Sequence, residues 1–235
     1  MIPLDQVEIA DDLTPFGVHA FTTTRHVGSF STGSEEPVRD VMARWDALRA
    51  TIAARGVRRL ATAAQVHGVE VVVHTQGWEG WLRGPRADGH VVTTRGTAVA
   101  VTIADCVPIF IAHPSGAVAI LHSGWRGTAA RIVEEGIATL AHRGFPAAEL
   151  RMHLGPAICG KCYEVSADVF RQLTGHSVSA PTPVNLRALI ADHARAVGVR
   201  HISTSPSCTR CDNRIFYSHR AGDAGRQVAV ISAAA

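Results

Sequence analysis

The feature that most constrains this fold is a set of short, almost unbroken apolar runs, at residues 98–103, 107–112, 117–121 and 227–231. A strand with one wet face alternates polar and apolar residues with a period of two. A run that is apolar throughout needs cover on both of its faces. Further short runs at 17–23, 69–74, 89–93, 151–154 and 199–204 extend the pattern. Such lengths suit strands better than helices.

Three stretches carry the helical period instead. Val38, Val41, Met42, Trp45, Leu48 and Ile52 make one apolar stripe, and Gly56 supplies its stop. Ala129, Ile132, Val133, Gly136, Ile137 and Leu140 make a second, ending near Gly144. Leu186, Leu189, Ile190, Ala194 and Val197 make a third, with Asn185 as N-cap and Gly198 as terminator. Residues 117–154 read strand, helix, strand, the signature of a βαβ unit. The polar stretch 29–37 and the glycine-rich stretch 75–89 read as loops, and neither separates two compositional regimes. The prediction is a single-domain α/β sandwich with a mixed sheet over residues 1–235.

Composition narrows the function. At 46% hydrophobic and 18% charged residues the chain is not of the disordered kind. No apolar run reaches the roughly 18 residues a membrane helix needs. Met1-Ile-Pro-Leu-Asp5 has neither a basic nor an apolar leader segment, so a cytoplasmic protein with reduced cysteines is expected. The formal charge is +3, with basic residues scattered along the chain, whereas nucleic-acid binding calls for a cluster or stripe.

Chemistry collects in Thr102-Ile-Ala-Asp-Cys-Val-Pro108 and in Leu121-His-Ser-Gly-Trp-Arg-Gly-Thr128. Asp105 and Cys106 fall between two apolar strands, and His122 ends the next one. Open α/β sheets place ligands at strand ends beside a helix start. The helix beginning after Gly124 and the charge of Arg126 suit an oxyanion, phosphate above all. Cys106 and His122 admit two chemistries: a Cys–His nucleophile pair, or two ligands of a metal. His67, in Gln65-Val-His-Gly68, is the candidate third ligand. Two imidazoles and a thiolate suit zinc, and three protein ligands leave a fourth position for water, whose pKa falls toward about 7. Asp105 is then a candidate to accept the free N–H of a ligand histidine. The spacings of 39 and 16 residues match no compact zinc signature.

These segments carry a resemblance. Gln65-Val-His-Gly68, Ala87-Asp-Gly89, Ala104-Asp-Cys-Val-Pro108, His122-Ser-Gly-Trp-Arg-Gly-Thr128 and Leu154-Gly-Pro-Ala-Ile158 occur in order. Cys162-Tyr-Glu-Val165, Cys208-Thr209 and Phe216-Tyr-Ser-His-Arg220 follow. Together they resemble the purine nucleoside phosphorylase family also labelled multicopper polyphenol oxidase, or laccase-domain proteins, over nearly the whole chain. The resemblance implies the α/β sandwich fold shared with toxins of the cytotoxic necrotizing factor type. It implies metal ligands at His67, Cys106 and His122, and phosphorolysis of adenosine, inosine, guanosine and 5′-methylthioadenosine together with adenosine deamination. Purine nucleosides and phosphate are then the small-molecule partners.

The older label implies copper. Zn2+ is the preferred ion, because a laccase needs several coppers and many clustered histidines, and no His-x-His pair is present; Cu2+ is the alternative. A metal-free cysteine hydrolase using Cys106 and His122 is another. Arg126, Arg220 and Arg25 are candidate phosphate- or substrate-binding residues, as is Asp105. The chain departs from the family pattern after Phe21 and after Arg220, which bears on substrate range. Cys159-x-x-Cys162 and Cys208-x-x-Cys211 read as a second metal site, a redox pair or four thiols packed as small apolar groups, the last being the expectation.

Overall fold

A computed structural model describes residues 1–234. Its helices are α1 (Val38–Ala53), α2 (Trp125–Ala129), α3 (Ile132–Ala141), α4 (Ala167–Thr174) and α5 (Leu186–Ala196). The first seven strands are β1 (Val7–Ile9), β2 (Val18–Thr23), β3 (Arg59–Ala64), β4 (Val71–His74), β5 (Gly80–Arg86), β6 (Gly89–Val92) and β7 (Thr97–Ile103). The remainder are β8 (Val107–Ala112), β9 (Val118–Ser123), β10 (Arg151–Leu154), β11 (Glu164–Val165), β12 (Thr182–Pro183), β13 (His201–Thr204) and β14 (Gln227–Ala233). No helix among the described residues is long and apolar enough to cross a membrane.

The apolar runs have two covered faces because two six-stranded mixed sheets stack. One has the order β1-β2-β14-β7-β3-β5 and the other β13-β10-β8-β9-β6-β4. In β14 and β7, Ala229, Ile231, Val99 and Val101 point to the layer between the sheets, where Phe110, Val118 and Ile120 of the second sheet meet them. The alternate residues Val228, Val230, Ala98 and Ala100 pack under α1 against Val41, Trp45, Leu48 and Ile52. In β8 and β9, Ile109, Ile111, Ala119 and Leu121 turn outward to α3 and α5. The result is four layers, helix on sheet on sheet on helices, with period-two alternation deciding which core each apolar residue enters.

The predicted βαβ unit is present with one strand inside it. β9 and β10 both run antiparallel to β8, which lies between them, so they are parallel to each other without pairing. The stretch 75–89 is not wholly a loop: β5 pairs in parallel with β3, Arg59 opposite Gly80. As an edge strand it needs partners on one side only, which is why Gly84 and Pro85 are tolerated there and why they hide it in the sequence. α4, with Ser166 as N-cap, was also not anticipated.

Three connectors cross from the first sheet to the second and set up the site. They join β3 to β4, β5 to β6 and β7 to β8. They carry His67, Asp88 and Asp105–Cys106 respectively. In the second sheet, Pro108 of β8 and Gly89 of β6 are register partners of His122 and Leu121 at the end of β9. Pairing therefore brings the residues just before β8 and β6 alongside His122.

Candidate active site

The turn bearing His67 is built by its neighbours. Gln65 replaces a ladder partner where β3 leaves the sheet: its Oε1 accepts from Thr102 N at 2.8 Å and its Nε2 donates to Thr102 O at 2.8 Å. Beyond it, His67 takes φ = 59°, a left-handed conformation that costs a non-glycine residue and needs outside support. Asp88 supplies that support. Its carboxylate accepts from the backbone N–H groups of Val66 (3.0 Å), His67 (3.0 Å) and Gly68 (2.7 Å).

The same carboxylate accepts from Nδ1 of His122 at 2.7 Å. This fixes the tautomer and leaves Nε2 of His122 free to face Cys106. Burial alone would raise the Asp88 pKa, but the His122 and backbone hydrogen bonds hold it below the usual carboxylate range. The role expected of Asp105 thus belongs to Asp88. Asp105, at φ = 82°, instead accepts from Thr209 Oγ1 and from Arg220 N, both at 2.6 Å. It lines the pocket and faces the 205–221 segment, and its carboxylate is taken up by these two donors rather than by a histidine. Asp88 stands in the quoted Ala87-Asp-Gly89 motif, which was the signal for it.

His67, Cys106 and His122 converge, with ligating atoms all within 4.8 Å of one another. The imidazoles meet edge to face at 4.9 Å between centroids. Burial pushes the Cys106 thiol up, but the adjacent His122, with a hydrogen bond from each histidine, brings it down to about 6. Burial likewise disfavours a charged His122, yet Cys106 and Asp88 raise it to about 9. Both shifts favour the ion pair of a thiolate on Cys106 with an imidazolium on His122.

Gly124 keeps the space among His67, Cys106 and His122 clear. A Cβ there would fall 2.8 Å from Cys106 Sγ and 3.3 Å from His67 Cδ2. Two imidazoles and a thiolate around a cleared space fit a borderline-soft divalent ion with one position left open.

His67 and Cys106 border a cavity of about 420 Å³ that is also lined by Tyr163, Trp125, Arg126, His219 and Arg220, while His122 lies buried behind them. Its size is within the range of small-molecule sites. The Arg126 guanidinium lies 4.5 Å from the Trp125 ring, and that of Arg220 lies 5.0 Å from Tyr163. The helix α2 at its edge has only five residues before the chain breaks at Arg131, φ = 63°. Its dipole is that of little more than one turn, and the arginines carry the positive charge.

Arg25 is elsewhere: it pairs with Asp223 at 2.5 Å and stacks on Tyr217 at 4.4 Å. Trp81 packs on Trp45 at 4.8 Å, away from the cavity. A roomier cleft of about 730 Å³ beside Asp11, Arg151 and His201 holds no cluster of ligating side chains among the described residues.

Known proteins resemble this chain in sequence and in fold. The family profile described as multi-copper polyphenol oxidoreductase laccase matches residues 19–234. A purine nucleoside phosphorylase of Streptomyces coelicolor is 35% identical over 164 residues, covering 66% of this chain and 67% of that one. One from Deinococcus radiodurans is 34% identical, covering 71% and 67%. An adenosine deaminase from an unknown prokaryotic organism is 29% identical over 94% of both chains. Among solved structures, a Neisseria meningitidis protein superposes with a TM-score of 0.85 at 26% identity, over 98% of this chain and 100% of its own. YlmD of Geobacillus stearothermophilus does so with 0.85 at 27% identity, over 94% of each.

Proposed function

The chain belongs to the laccase-domain family described as multi-copper polyphenol oxidoreductase laccase, and from that membership we propose a zinc-dependent purine nucleoside phosphorylase with adenosine deaminase activity. Its substrates are adenosine, inosine, guanosine and 5′-methylthioadenosine. The observation that carries the reading is the meeting of His67, Cys106 and His122 beside a pocket that holds two arginines. The similarity to enzymes named for these two activities supports it.

A divalent ion held by the three ligands supplies Lewis acidity to an oxygen of substrate or water. The chain does the rest. Asp88 keeps His122 in the tautomer that ligates, and holds the turn that presents His67. Arg126 and Arg220, each braced on an aromatic ring, bind phosphate and hold it for attack at the ribose C1′. Tyr163 and Trp125 offer apolar faces to the base.

Zinc is favoured over copper by the donor count. Four-electron oxidation needs several coppers and many clustered histidines, and only one of the two ligand groups found among the described residues contains histidine.

The test uses zinc-replete protein with adenosine and phosphate, the products being separated by chromatography. Adenine with ribose 1-phosphate, and inosine, are expected. Absence of all three overturns the reading. Oxygen uptake stoichiometric with phenol oxidation by the copper-reconstituted protein would favour the oxidase.

A further inference from the structure

The turn Cys159-Gly-Lys-Cys162 follows β10, and the turn Cys208-Thr-Arg-Cys211 follows β13. The two meet side by side, joined by an isolated bridge between Ala157 and Cys208. Their four sulfurs all lie within 4.8 Å of one another, with Cys162 and Cys211 at 3.5 Å. None is in a disulfide. Zinc–sulfur bonds of about 2.3 Å put tetrahedral sulfurs about 3.8 Å apart, so the cluster needs little movement to close on an ion.

Packing does not account for this convergence. Only Cys208 is buried; Cys159 and Cys162 are half-buried and Cys211 is exposed. Thiols near water gain little from one another as apolar groups. Two backbone N–H groups, of Cys159 at 3.2 Å and Cys211 at 3.4 Å, point at the sulfur of Cys208. A neutral thiol is a weak acceptor, whereas a thiolate ligand draws such donors. Each turn also carries a cation, Lys161 and Arg210, which offsets the excess negative charge of four thiolates on a divalent ion. Arg210 reaches across to donate to Cys162 O at 3.2 Å.

We propose that Cys159, Cys162, Cys208 and Cys211 form a second, structural zinc site, separate from the one at His67, Cys106 and His122. Four protein ligands close the coordination shell, so the site does no chemistry of its own. It staples two segments that are remote in sequence and that both reach the pocket. The first continues into Tyr163. The second carries Thr209, which bonds Asp105, and leads to His219 and Arg220. The site thereby holds one wall of the pocket in place. This inference stands whether or not the proposed activity is correct.

The test is metal content by elemental analysis and native mass spectrometry of protein made with sufficient zinc. The full chain should hold two zinc ions. The double variant His67→Ala/His122→Ala should keep one, and replacement of that ion by cobalt should give the intense visible bands of tetrahedral tetrathiolate coordination. Cys162→Ser/Cys211→Ser should hold one zinc and lack those bands. Should that variant fail to fold, alkylation of the wild-type chain decides: the four cysteines should resist iodoacetamide until a chelator strips the metal. The proposal is overturned by a His67→Ala/His122→Ala variant that holds no ion, by four freely alkylated thiols, by a Cys162–Cys211 disulfide, or by iron in place of zinc.

Discussion

Replacing Asp88 by asparagine changes one oxygen to an amide and leaves the shape alone, yet it should cripple metal binding. Oδ2 accepts from Val66 N and Gly68 N, while Oδ1 accepts from His67 N and His122 Nδ1. Whichever position becomes the NH2 group, two donors then face a donor. If it replaces Oδ2, the turn under His67 loses two hydrogen bonds. If it replaces Oδ1, His122 is driven to the tautomer with its proton on Nε2, the nitrogen that should ligate. Two unsatisfied N–H groups cost about 2–6 kcal/mol of stability. Loss of such an orienting partner weakens a metal by about 10–100-fold, or about 1.4–2.7 kcal/mol. Chelator-competition titration measures the affinity and a circular-dichroism melt the stability. A variant that binds zinc within twofold of wild type would refute the reasoning that Asp88 orients both histidines.

Four further outcomes follow from the geometry. His67→Ala, Cys106→Ala and His122→Ala should each lose the metal at that site and the activity together while still melting cooperatively, as read by metal content and circular dichroism. Gly124→Ala should also lose the ion with little change in melting temperature, because its Cβ would enter the space between Cys106 and His67. Zinc affinity should depend on pH. With the His122 pKa raised to about 9 and that of Cys106 lowered to about 6, binding displaces one proton between those values. The dissociation constant should therefore rise about tenfold per unit as pH falls from 9 toward 6, and more steeply below 6; a flat profile from isothermal titration would contradict this. Arg126→Ala and Arg220→Ala should raise KM for phosphate by about 10–100-fold, consistent with charged hydrogen bonds of about 1.5–3 kcal/mol, whereas Arg25→Ala should leave it unchanged, since that guanidinium is committed to Asp223.

The amino-acid sequence by itself determined the local and the compositional. Runs apolar at every position demanded cover on both faces, and 107–112 and 151–154 read directly as β8 and β10. Asn185 marked the start of α5, where its side chain accepts from Ala188 N. Ordered motifs identified the family and named His67, Cys106 and His122. Other features only the tertiary structure decided. The splitting of the strands into two stacked sheets, the edge strand β5 and the pairing of His122 with Asp88 instead of Asp105 depend on which strands pair. The spacings in the chain do not encode that choice. A carboxylate in a short connector between strands looks the same in sequence whether it faces a histidine or a threonine. Three connectors crossing between the sheets at one end are what bring residues 67, 88 and 106 beside 122. The meeting of the four cysteines has the same cause, since β10 and β13, which pair in parallel, deliver two turns 49 residues apart to a common edge.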